Sequence, residues 1–396
     1  MQAESDDPAA ERPRPEGFPS GFGEGPGEAD AVMLLACLLG ITPRVRHELL
    51  WREGSASAAV EAIRGGVAGS DNDRAFLRNA DPARIHSRIG AAGARFAPPG
   101  DPEYWPAFLR LDDPPVGVFL RGRPLLLGRE RVAVVGSRRP SSAGKEVARG
   151  LGRDLASVGL VVVSGGALGI DARAHEGALD VGGVTVGVLG SGIDVEYPAT
   201  NRDLLRGIVQ HGTLLGEYPP GVPAEPFRFP ARNRLIAALS IAVVIVEGVA
   251  RSGTRSTADF ALQLGLDLFA VPGPVASPLT DAPHELIRDG ARLIRGSDDL
   301  LDDLGIDASR RASSVTPDGL PSDQHAVFTA LIEPMLPDAV ASAARLSVPD
   351  TIAALVRLEL VGLVNGSGGR FRRASQQGGP KEVAAQHAAD AEVPDA

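Results

Sequence analysis

The sequence predicts an α/β fold in which a doubly wound parallel sheet is flanked by two smaller helical modules. Between Arg131 and about Leu304, short runs of β-branched residues alternate with helix-length spacers, which is typical of βαβ units. The runs are almost entirely apolar, as expected for parallel strands in a sheet that is covered on both faces. The predicted strands are Val132–Val135, Leu160–Val163, Val184–Leu189, Ala242–Val246 and Leu268–Val271.

Helical patterns flank this region on both sides. The runs Ala31–Leu39 and Pro43–Trp51 begin a small all-α module, and a second helical module after the sheet ends in a hairpin around Val361–Phe371. The terminal segments are polar, and we expect them to be disordered. The predicted division is a disordered acidic tail at 1–27, a helical domain at 28–95, the α/β domain at 96–305, a linker at 306–320, a helical domain at 321–375 and a disordered tail at 376–396.

Composition restricts the compartment and the kinds of site. The chain of 396 residues has a single cysteine, Cys37, which excludes an intramolecular disulfide and a cysteine-based zinc cluster and favours a reducing compartment. The longest apolar run, Ala31–Ile41, is about half as long as a bilayer requires. We therefore expect a cytoplasmic protein with no membrane partner.

The net charge of -10 does not decide whether nucleic acid is a partner. The acidic excess lies mainly in residues 1–30 and 376–396, so the rest of the chain is close to neutral. A nearly neutral body can carry local basic patches, and the positions of its arginines therefore matter more than the total charge.

The first predicted strand continues into Gly136-Ser137-Arg138-Arg139, and Lys145 follows. Free backbone N–H groups where a strand leads into a helix form an anion site, and small residues allow the ligand to come close. The spacing fits neither a Walker A loop nor a dinucleotide fingerprint, so ATP hydrolysis and nicotinamide redox chemistry lose support. The alternative is a capped turn with solvated arginines.

The second predicted strand ends in Ser164-Gly165, and Asp171 and His175 follow at helical spacing. Open α/β sheets bind ligands at the carboxyl edge, where this glycine-rich turn is expected. The pair of Asp171 and His175 could serve as a general base, but such a pair near a helix start is more often a cap and a packing contact. We therefore assign no catalytic residue here.

The third segment combines an aromatic ring with arginines. Phe229 lies among Arg228, Arg232, Asn233 and Arg234, in a chain with only 4% aromatic residues. A ring that stacks on a base, beside guanidinium groups that hold phosphates, is how proteins bind single-stranded nucleic acid. The alternative is that the ring belongs to the core and that the arginines pair with acids elsewhere.

The fourth loop, Arg251-Ser252-Gly253, follows the predicted strand Ala242–Val246 and enters a helix as a further phosphate nest. The four segments follow parallel strands, so they can converge on one edge of one sheet. This convergence carries the prediction of a phosphate-binding edge. No order of Ser, His and Asp fits an esterase, and no spacing of His, Asp and Glu indicates a metal site.

At these residues the chain closely resembles the DprA/Smf family (DNA-processing protein A). Gly136-Ser137-Arg138 matches the GSR element of that family, and the stretch from Ser164 to His175 matches S-G-x-A-x-G-I-D-x-x-A-H. The stretch that begins at Phe229 matches F-P-x-R-N-R-x-I-A. The remaining matches are Leu189-Gly190-Ser191-Gly192-Ile193-Asp194 with Tyr197-Pro198 and Asn201, Gly216-Glu217-Tyr218-Pro219, Val246-Glu247, Ser252-Gly253-Thr254 and Ala270-Val271-Pro272-Gly273.

The resemblance implies an extended Rossmann-like domain with an N-terminal helical SAM-like module and a C-terminal winged helix. It also implies a protein without catalytic activity or cofactor that binds single-stranded DNA, protects incoming strands in natural transformation, forms a homodimer through the Rossmann-like domain and loads the RecA recombinase. The side chains implied to contact DNA are Arg138, Arg228, Phe229, Arg232 and Arg234. The implied phosphate contacts through backbone or hydroxyl groups are Gly136, Ser137, Ser164, Gly165, Ser252 and Gly253.

The chain departs from the family pattern at a few positions. Leu168 stands where many members have arginine, which removes a phosphate contact, and His284 stands where asparagine is usual. The predicted second helix of the winged module, Val348–Leu358, has Arg357 as its one basic residue. Because a recognition helix normally needs more basic character, we interpret this module as protein-interacting.

Two other functions stay open on the sequence. Nucleoside-monophosphate phosphoribohydrolases share a phosphate-binding fold, but their P-G-G-x-G-T-x-x-E motif only resembles the stretch from Arg251 to Thr254, and the glutamate is missing, with Asp259 as the nearest acid. The other candidate is a small-nucleotide sensor whose winged helix acts on a promoter. The leading prediction remains a non-enzymatic protein that binds single-stranded DNA.

Overall fold

The computed structural model describes residues 17–124, 128–250, 253–307, 320–331, 335–360, 364–367 and 369–373. Contacts between residues divide the chain into two units, Met1–Ile306 and Asp307–Ala396. The first unit combines the N-terminal helices with a mixed sheet of nine strands, so the predicted α/β class is confirmed.

Five helices open the first unit, and side-chain oxygens cap the starts of four of them. Thr42, Ser55, Ser70 and Asp81 each accept a hydrogen bond from a backbone N–H group in the first turn. The buried faces of these helices share one hydrophobic core with part of the sheet, so the helices pack against it. The helices are α1 (Glu28–Ala36), α2 (Pro43–Glu53), α3 (Ala56–Arg64), α4 (Asp71–Asn79) and α5 (Pro82–Ala91).

The segment before α1 differs from the tail predicted at 1–27. Phe18 and Phe22 are 6% and 5% exposed, and their rings stack with centroids 4.3 Å apart. Burial of an aromatic side chain contributes about 1.5–3 kcal/mol, which offsets the ordering of the glycine- and proline-rich stretch around it. Residues 17–27 are therefore ordered, while residues 1–16 lie outside the described residues.

A nine-stranded sheet forms the centre of the first unit. Its strands are β1 (Ala94–Ala97), β2 (Val118–Gly122), β3 (Arg131–Val135), β4 (Val161–Ser164), β5 (Thr185–Gly192), β6 (Thr213–Tyr218), β7 (Ala242–Ile245), β8 (Asp267–Ala270) and β9 (Arg292–Leu293). Their spatial order is β1-β2-β6-β5-β4-β3-β7-β8-β9. The strands from β6 to β9 in this order are parallel, as predicted. Strands β1 and β2 add an antiparallel pair that was predicted as linker.

Both faces of the sheet are buried. Leu214 belongs to the core shared with the N-terminal helices, whereas the next residue, Leu215, belongs to the core on the other side. The remaining helices of the unit are α6 (Ser142–Ser157), α7 (Ile170–Asp180), α8 (Arg202–His211), α9 (Arg228–Ala238), α10 (Gly253–Gln263), α11 (Asp281–Arg288) and α12 (Ser297–Asp303).

The order of the strands creates a switch point beside β3. The chain builds β3 to β6 on one side and then crosses to β7, which pairs with β3 through Val135 and Ile245. Doubly wound sheets bind ligands in the crevice that opens where the strand order reverses. The carboxyl ends of β3 and β7 are therefore the place at which this fold would hold a ligand.

The second unit contains three helices and a hairpin. They are α13 (Ser322–Ala330), α14 (Pro337–Ala344), α15 (Val348–Leu360) and the antiparallel strands β10 (Val364–Ser367) and β11 (Arg370–Arg373). Val327, Val340 and Leu355 are buried in its core. Helix α15 begins at the predicted Val348, but it is the third helix of the unit rather than the second.

No helix among the described residues is by itself long and apolar enough to cross a membrane. One pair, Pro337–Ala344 with Val348–Leu358, reaches that length and composition only when both helices are taken together, and the pair is bent by 104°. Both of these helices belong to the second unit.

Candidate functional site

A cleft with a volume of about 460 Å³ lies at the carboxyl ends of β3 and β7, at the switch point of the sheet. Its walls come from the loops after these strands and from the first turns of α9 and α10. The structure therefore brings together part of the predicted site. The predicted residues that line the cleft are Gly136, Ser137, Arg138, Phe229, Arg232, Asn233 and Gly253.

The loop after β3 is fixed by its backbone and presents one arginine. The Ser137 N–H donates to the carbonyl oxygen of Glu247 at 2.7 Å. Gly136 permits this contact, because a Cβ there would lie 2.8 Å from the same oxygen. Arg138 is exposed, and its guanidinium carbon lies 4.9 Å from the centre of the Phe229 ring. Within the described part of the chain, no carboxylate pairs with Arg138.

The N-terminus of α6 differs from the anion site that was predicted for this turn. The buried carboxylate of Glu247 accepts hydrogen bonds from the Ser141 N–H at 2.9 Å and from the Ser141 hydroxyl at 2.6 Å. The Ser141 oxygen in turn accepts from the Gly144 N–H at 3.0 Å. A carboxylate of the protein itself therefore occupies the positive end of this helix, where a phosphate would otherwise bind.

The turn after β4 is closed on itself. Ser164 is fully buried, and its hydroxyl donates to the carbonyl of Val134 at 2.7 Å. The Gly165 N–H donates to the Asp171 carboxylate at 3.1 Å, and the Gly165 carbonyl accepts from Arg232 at 2.7 Å. The Ser164 hydroxyl and the Gly165 N–H, which were predicted to hold phosphate, thus serve to hold the turn.

The pair of Asp171 and His175 is buried and does not form a general base. Nδ1 of His175 lies 2.7 Å from the hydroxyl of Thr185, which itself donates to a backbone carbonyl, so His175 is the donor. Burial lowers the pKa of His175 to about 3, and the nearby charge of Arg232 lowers it further. Burial raises the pKa of Asp171. No cluster able to hold a metal ion occurs in the part of the chain that the structure describes.

Two of the arginines predicted to contact DNA, Arg228 and Arg234, are only 5% and 2% exposed. Arg234 forms ion pairs with Glu217 at 2.5 Å and with Asp113 at 2.9 Å. Burial would lower the pKa of Arg234, but these two carboxylates raise it above its usual value. Arg228 lies 3.5 Å from Glu225. Both arginines therefore pair with acids away from the cleft, as the alternative interpretation described.

Arg232 and Asn233 form the floor of the cleft. The Arg232 guanidinium donates to backbone carbonyls at the ends of β4 and β5. Burial lowers the pKa of Arg232 to about 10, against an opposing effect of Asp171, so the floor stays positively charged at neutral pH. The Asn233 side chain donates to the Gly253 carbonyl at 3.0 Å and holds the first turn of α10 beside the floor.

Tyr197 is a cleft residue that the sequence analysis quoted within a motif but did not assign to the site. Its ring stacks on that of Phe229, with centroids 5.7 Å apart and an angle of 28° between the planes. Both rings line the cleft. An aromatic residue before a proline, in the loop that follows a predicted strand, was the signal that could have identified it.

The other predicted residues lie outside the cleft or outside the described residues. Arg139 and Lys145 are exposed, but neither lines the cleft. Arg251 and Ser252 fall among the residues that are not described. Gly253 begins α10 and is exposed at the cleft, with open space around its Cα.

Comparison with known proteins identifies the family. The sequence model of the family described as DNA recombination-mediator protein A matches residues 95–305, which include all nine strands of the sheet except the first residue of β1 and also include the cleft. The chain belongs to this family. The resemblance to DprA/Smf proteins is thereby confirmed.

Relatives of this DNA recombination-mediator protein A family member agree with the match. The putative DNA processing protein DprA of Mycobacterium tuberculosis is 41% identical over 246 residues, which are 61% of this chain and 63% of that protein. The chain thus matches less than two thirds of that relative. Protein Smf of Escherichia coli is 36% identical over 289 residues, which are 70% of this chain and 77% of that protein.

A solved structure shares the fold. The X-ray structure of DNA processing protein A from Streptococcus pneumoniae is similar with a TM-score of 0.53 and 32% sequence identity. The similarity covers 67% of this chain and 99% of that chain. The sheet described above is therefore the Rossmann-like fold of the DNA recombination-mediator protein A family.

Proposed function

We propose that this chain binds single-stranded DNA in the cleft at the carboxyl ends of β3 and β7. One observation carries the proposal: the exposed Arg138 guanidinium lies beside the stacked rings of Phe229 and Tyr197 in an open cleft. Arginine holds phosphates, and aromatic rings stack on unpaired bases of any sequence. The buried charge of Arg232 adds a positive floor beneath them. The membership of a recombination-mediator family supports the same function.

The burial of the candidate residues separates contact from support. We propose that direct contacts come from Gly136, Ser137, Arg138, Phe229, Arg232, Asn233 and Gly253, together with Arg251 and Ser252 in the loop before α10. Arg139 and Lys145 would attract phosphates from outside the cleft. The buried residues Ser164, Gly165, Arg228 and Arg234 would instead hold the elements that form the site.

We propose that the site has no catalytic activity. Glu247 is committed to capping α6, and Asp259 lies 3.4 Å from Arg255 in an ion pair. His175 is buried and neutral at neutral pH. A phosphoribohydrolase would need an acid that faces its nucleotide, and none of these three groups is free for that role. Incubation with AMP should release no ribose 5-phosphate above background, and release that depends on the cleft residues would support the enzyme instead.

The flanking helices support a modular organisation. We propose that α1–α5 form the SAM-like module and that α13–α15 with β10 and β11 form the winged helix, in the divisions 28–95, 96–305 and 321–375. Three helices followed by an antiparallel hairpin support the winged helix. Helix α15 exposes Val348, Ile352 and Val356. An apolar exposed face suits contact with a protein better than contact with a DNA groove.

We further propose that the protein acts in recombination as a homodimer through its Rossmann-like domain and loads the RecA recombinase on the bound strand, including strands taken up in natural transformation. The recombination-mediator description of the family supports this role. In a test of loading, the rate of RecA filament formation would be measured on oligo-dT that is precoated with a single-strand-binding protein. The wild type should raise the rate and Arg138→Ala should not. Equal rates with and without the wild type would contradict the proposal.

Competition distinguishes a strand-binding cleft from a nucleotide pocket. Unlabelled oligo-dT should displace a fluorescent oligo-dT from the protein, whereas an excess of AMP should not, because one phosphate and one base make few of the contacts of a strand. Displacement by AMP at low concentration would favour the nucleotide sensor. Strong preference for one duplex sequence would favour the promoter-binding alternative.

A further inference from the structure

A second, smaller cavity of about 50 Å³ adjoins the cleft and is mostly apolar. Leu168, Leu189, Tyr197, Pro198 and Phe229 line it. It shares Arg138, Ala167, Tyr197 and Phe229 with the charged cleft, so the two cavities are continuous. A chain that lies in the cleft would therefore have this apolar surface directly beside it.

The exposed aromatic surface at this place belongs to Tyr197. Phe229 is only partly exposed, and its ring is already in contact with Tyr197 at 5.7 Å and with the Arg138 guanidinium at 4.9 Å. Tyr197 is 47% exposed and Leu168 is 41% exposed. Large apolar side chains that stay this exposed beside a charged cleft are suited to an apolar ligand group.

Both exposed side chains are held by the backbone around them. The amide nitrogen of Asn201 donates to the carbonyls of Gly166 at 3.0 Å and Ala167 at 3.1 Å, which fixes the turn that carries Leu168. The ring of Phe229 lies against the end of β5, where a Cβ on Gly190 would be 3.0 Å from it, and this ring supports Tyr197 from below. The surface is thus preformed, which lowers the entropy lost on binding.

We propose that Tyr197 and Leu168 form a ledge that holds one unpaired nucleobase of a bound strand. The base stacks on the Tyr197 ring with its edge against Leu168, while the neighbouring phosphates lie in the cleft near Arg138. This inference rests on the proposed binding of single-stranded DNA. The ledge also provides a reason for strand selectivity, because the bases of a duplex are stacked within the helix and cannot reach it.

Oligomers with and without bases provide the test. Affinities of the full chain would be measured for oligo-dT and for a fully abasic oligomer of the same length and charge, with the wild type and Tyr197→Ala. The wild type should prefer oligo-dT by about fivefold or more, as expected for one stacked base. Tyr197→Ala should lose most of this preference while its affinity for the abasic oligomer stays within about twofold, because no phosphate contact is removed.

Further variants separate stacking from structural damage. Tyr197→Phe keeps the ring and should keep the preference, and Leu168→Ala should reduce it. Leu262→Ala removes another exposed leucine, 56% exposed and outside both cavities, and should change nothing. Equal loss of affinity for both oligomers in Tyr197→Ala, or equal wild-type affinities, would overturn the ledge and leave the proposed function standing. Wild-type binding to neither oligomer would overturn both.

Discussion

The carboxylate of Glu247 accepts two hydrogen bonds from Ser141, one from its backbone N–H at 2.9 Å and one from its hydroxyl at 2.6 Å. This contact joins the end of β7 to the start of α6 across the switch point of the sheet. It also places a negative charge at the positive end of α6, and so directs a bound phosphate away from that helix and toward Arg138 and the first turn of α10.

The contact between Glu247 and Ser141 predicts coupled losses of stability. Ser141→Ala should lower the free energy of unfolding by about 1 kcal/mol, as for other N-cap residues. Glu247→Ala should lower it by about 1–3 kcal/mol, because it leaves a buried N–H without a partner. The double variant should lose less than the sum. Urea denaturation followed by tryptophan fluorescence measures this in the first unit, since both tryptophans, Trp51 and Trp105, lie there. Additive losses would contradict the coupling.

Arg138 is predicted to make the strongest phosphate contact of its loop. Arg138→Ala should weaken the binding of oligo-dT by about 1.5–3 kcal/mol and reduce the slope of log K against log salt by about 0.7. Arg139→Ala is the matched control, because Arg139 is equally exposed and removes the same charge but does not line the cleft. Equal effects of the two substitutions on affinity would mean that general charge, and not the cleft, holds the strand.

Arg234 is predicted to support the fold rather than contact the ligand. Arg234→Met should destabilise the first unit by about 3–5 kcal/mol, because it leaves the carboxylates of Glu217 and Asp113 without their partner. Arg234→Lys should cost less, since it keeps the charge but not the paired geometry. Urea midpoints measure both losses. A methionine variant of normal stability with weakened binding of oligo-dT would instead support direct contact with DNA.

Burial of His175 predicts that stability depends on pH. The pKa of His175 is lowered to about 3 in the folded chain, and it is about 6.5 in an unfolded chain. Between these values the unfolded state binds a proton that the folded state does not, so stability is complete above about pH 6.5 and falls as the pH falls. The slope should approach about 1.4 kcal/mol per pH unit.

The comparison of His175→Gln with the wild type isolates this effect. The free energy of unfolding would be measured for both proteins at about pH 7.5 and about pH 5.5, on either side of the pKa of an unfolded histidine. The variant should lose less stability on acidification than the wild type does. Equal losses in the two proteins would show that His175 is not the group that titrates.

Parallel strands made the position of the site predictable. Because each loop follows a strand such as Val132–Val135 or Ala242–Val246, the sequence placed the loops at one edge before any contact was known. The family motif added that Gly136, Ser137 and Phe229 belong together. The cleft contains all three.

The direction of each side chain was not predictable in the same way. Helix α9 is covered on more than one side, so its arginines have no polar face on which periodicity could place them, and Arg234 finds Glu217 only through the fold. The cap that Glu247 gives to α6 joins residues far apart in sequence. The burial of Phe18 within a glycine- and proline-rich stretch likewise depends on contact with α2, through His47.

The central claim is that the cleft binds a single strand of DNA. Fluorescence anisotropy of labelled oligo-dT and of a matched duplex, each over a series of salt concentrations, tests it most directly. We predict tighter binding of the single strand, with log K falling by about 0.7 per neutralised phosphate for each tenfold rise in salt. Equal affinity for strand and duplex, or no binding of either at low salt, would contradict the claim.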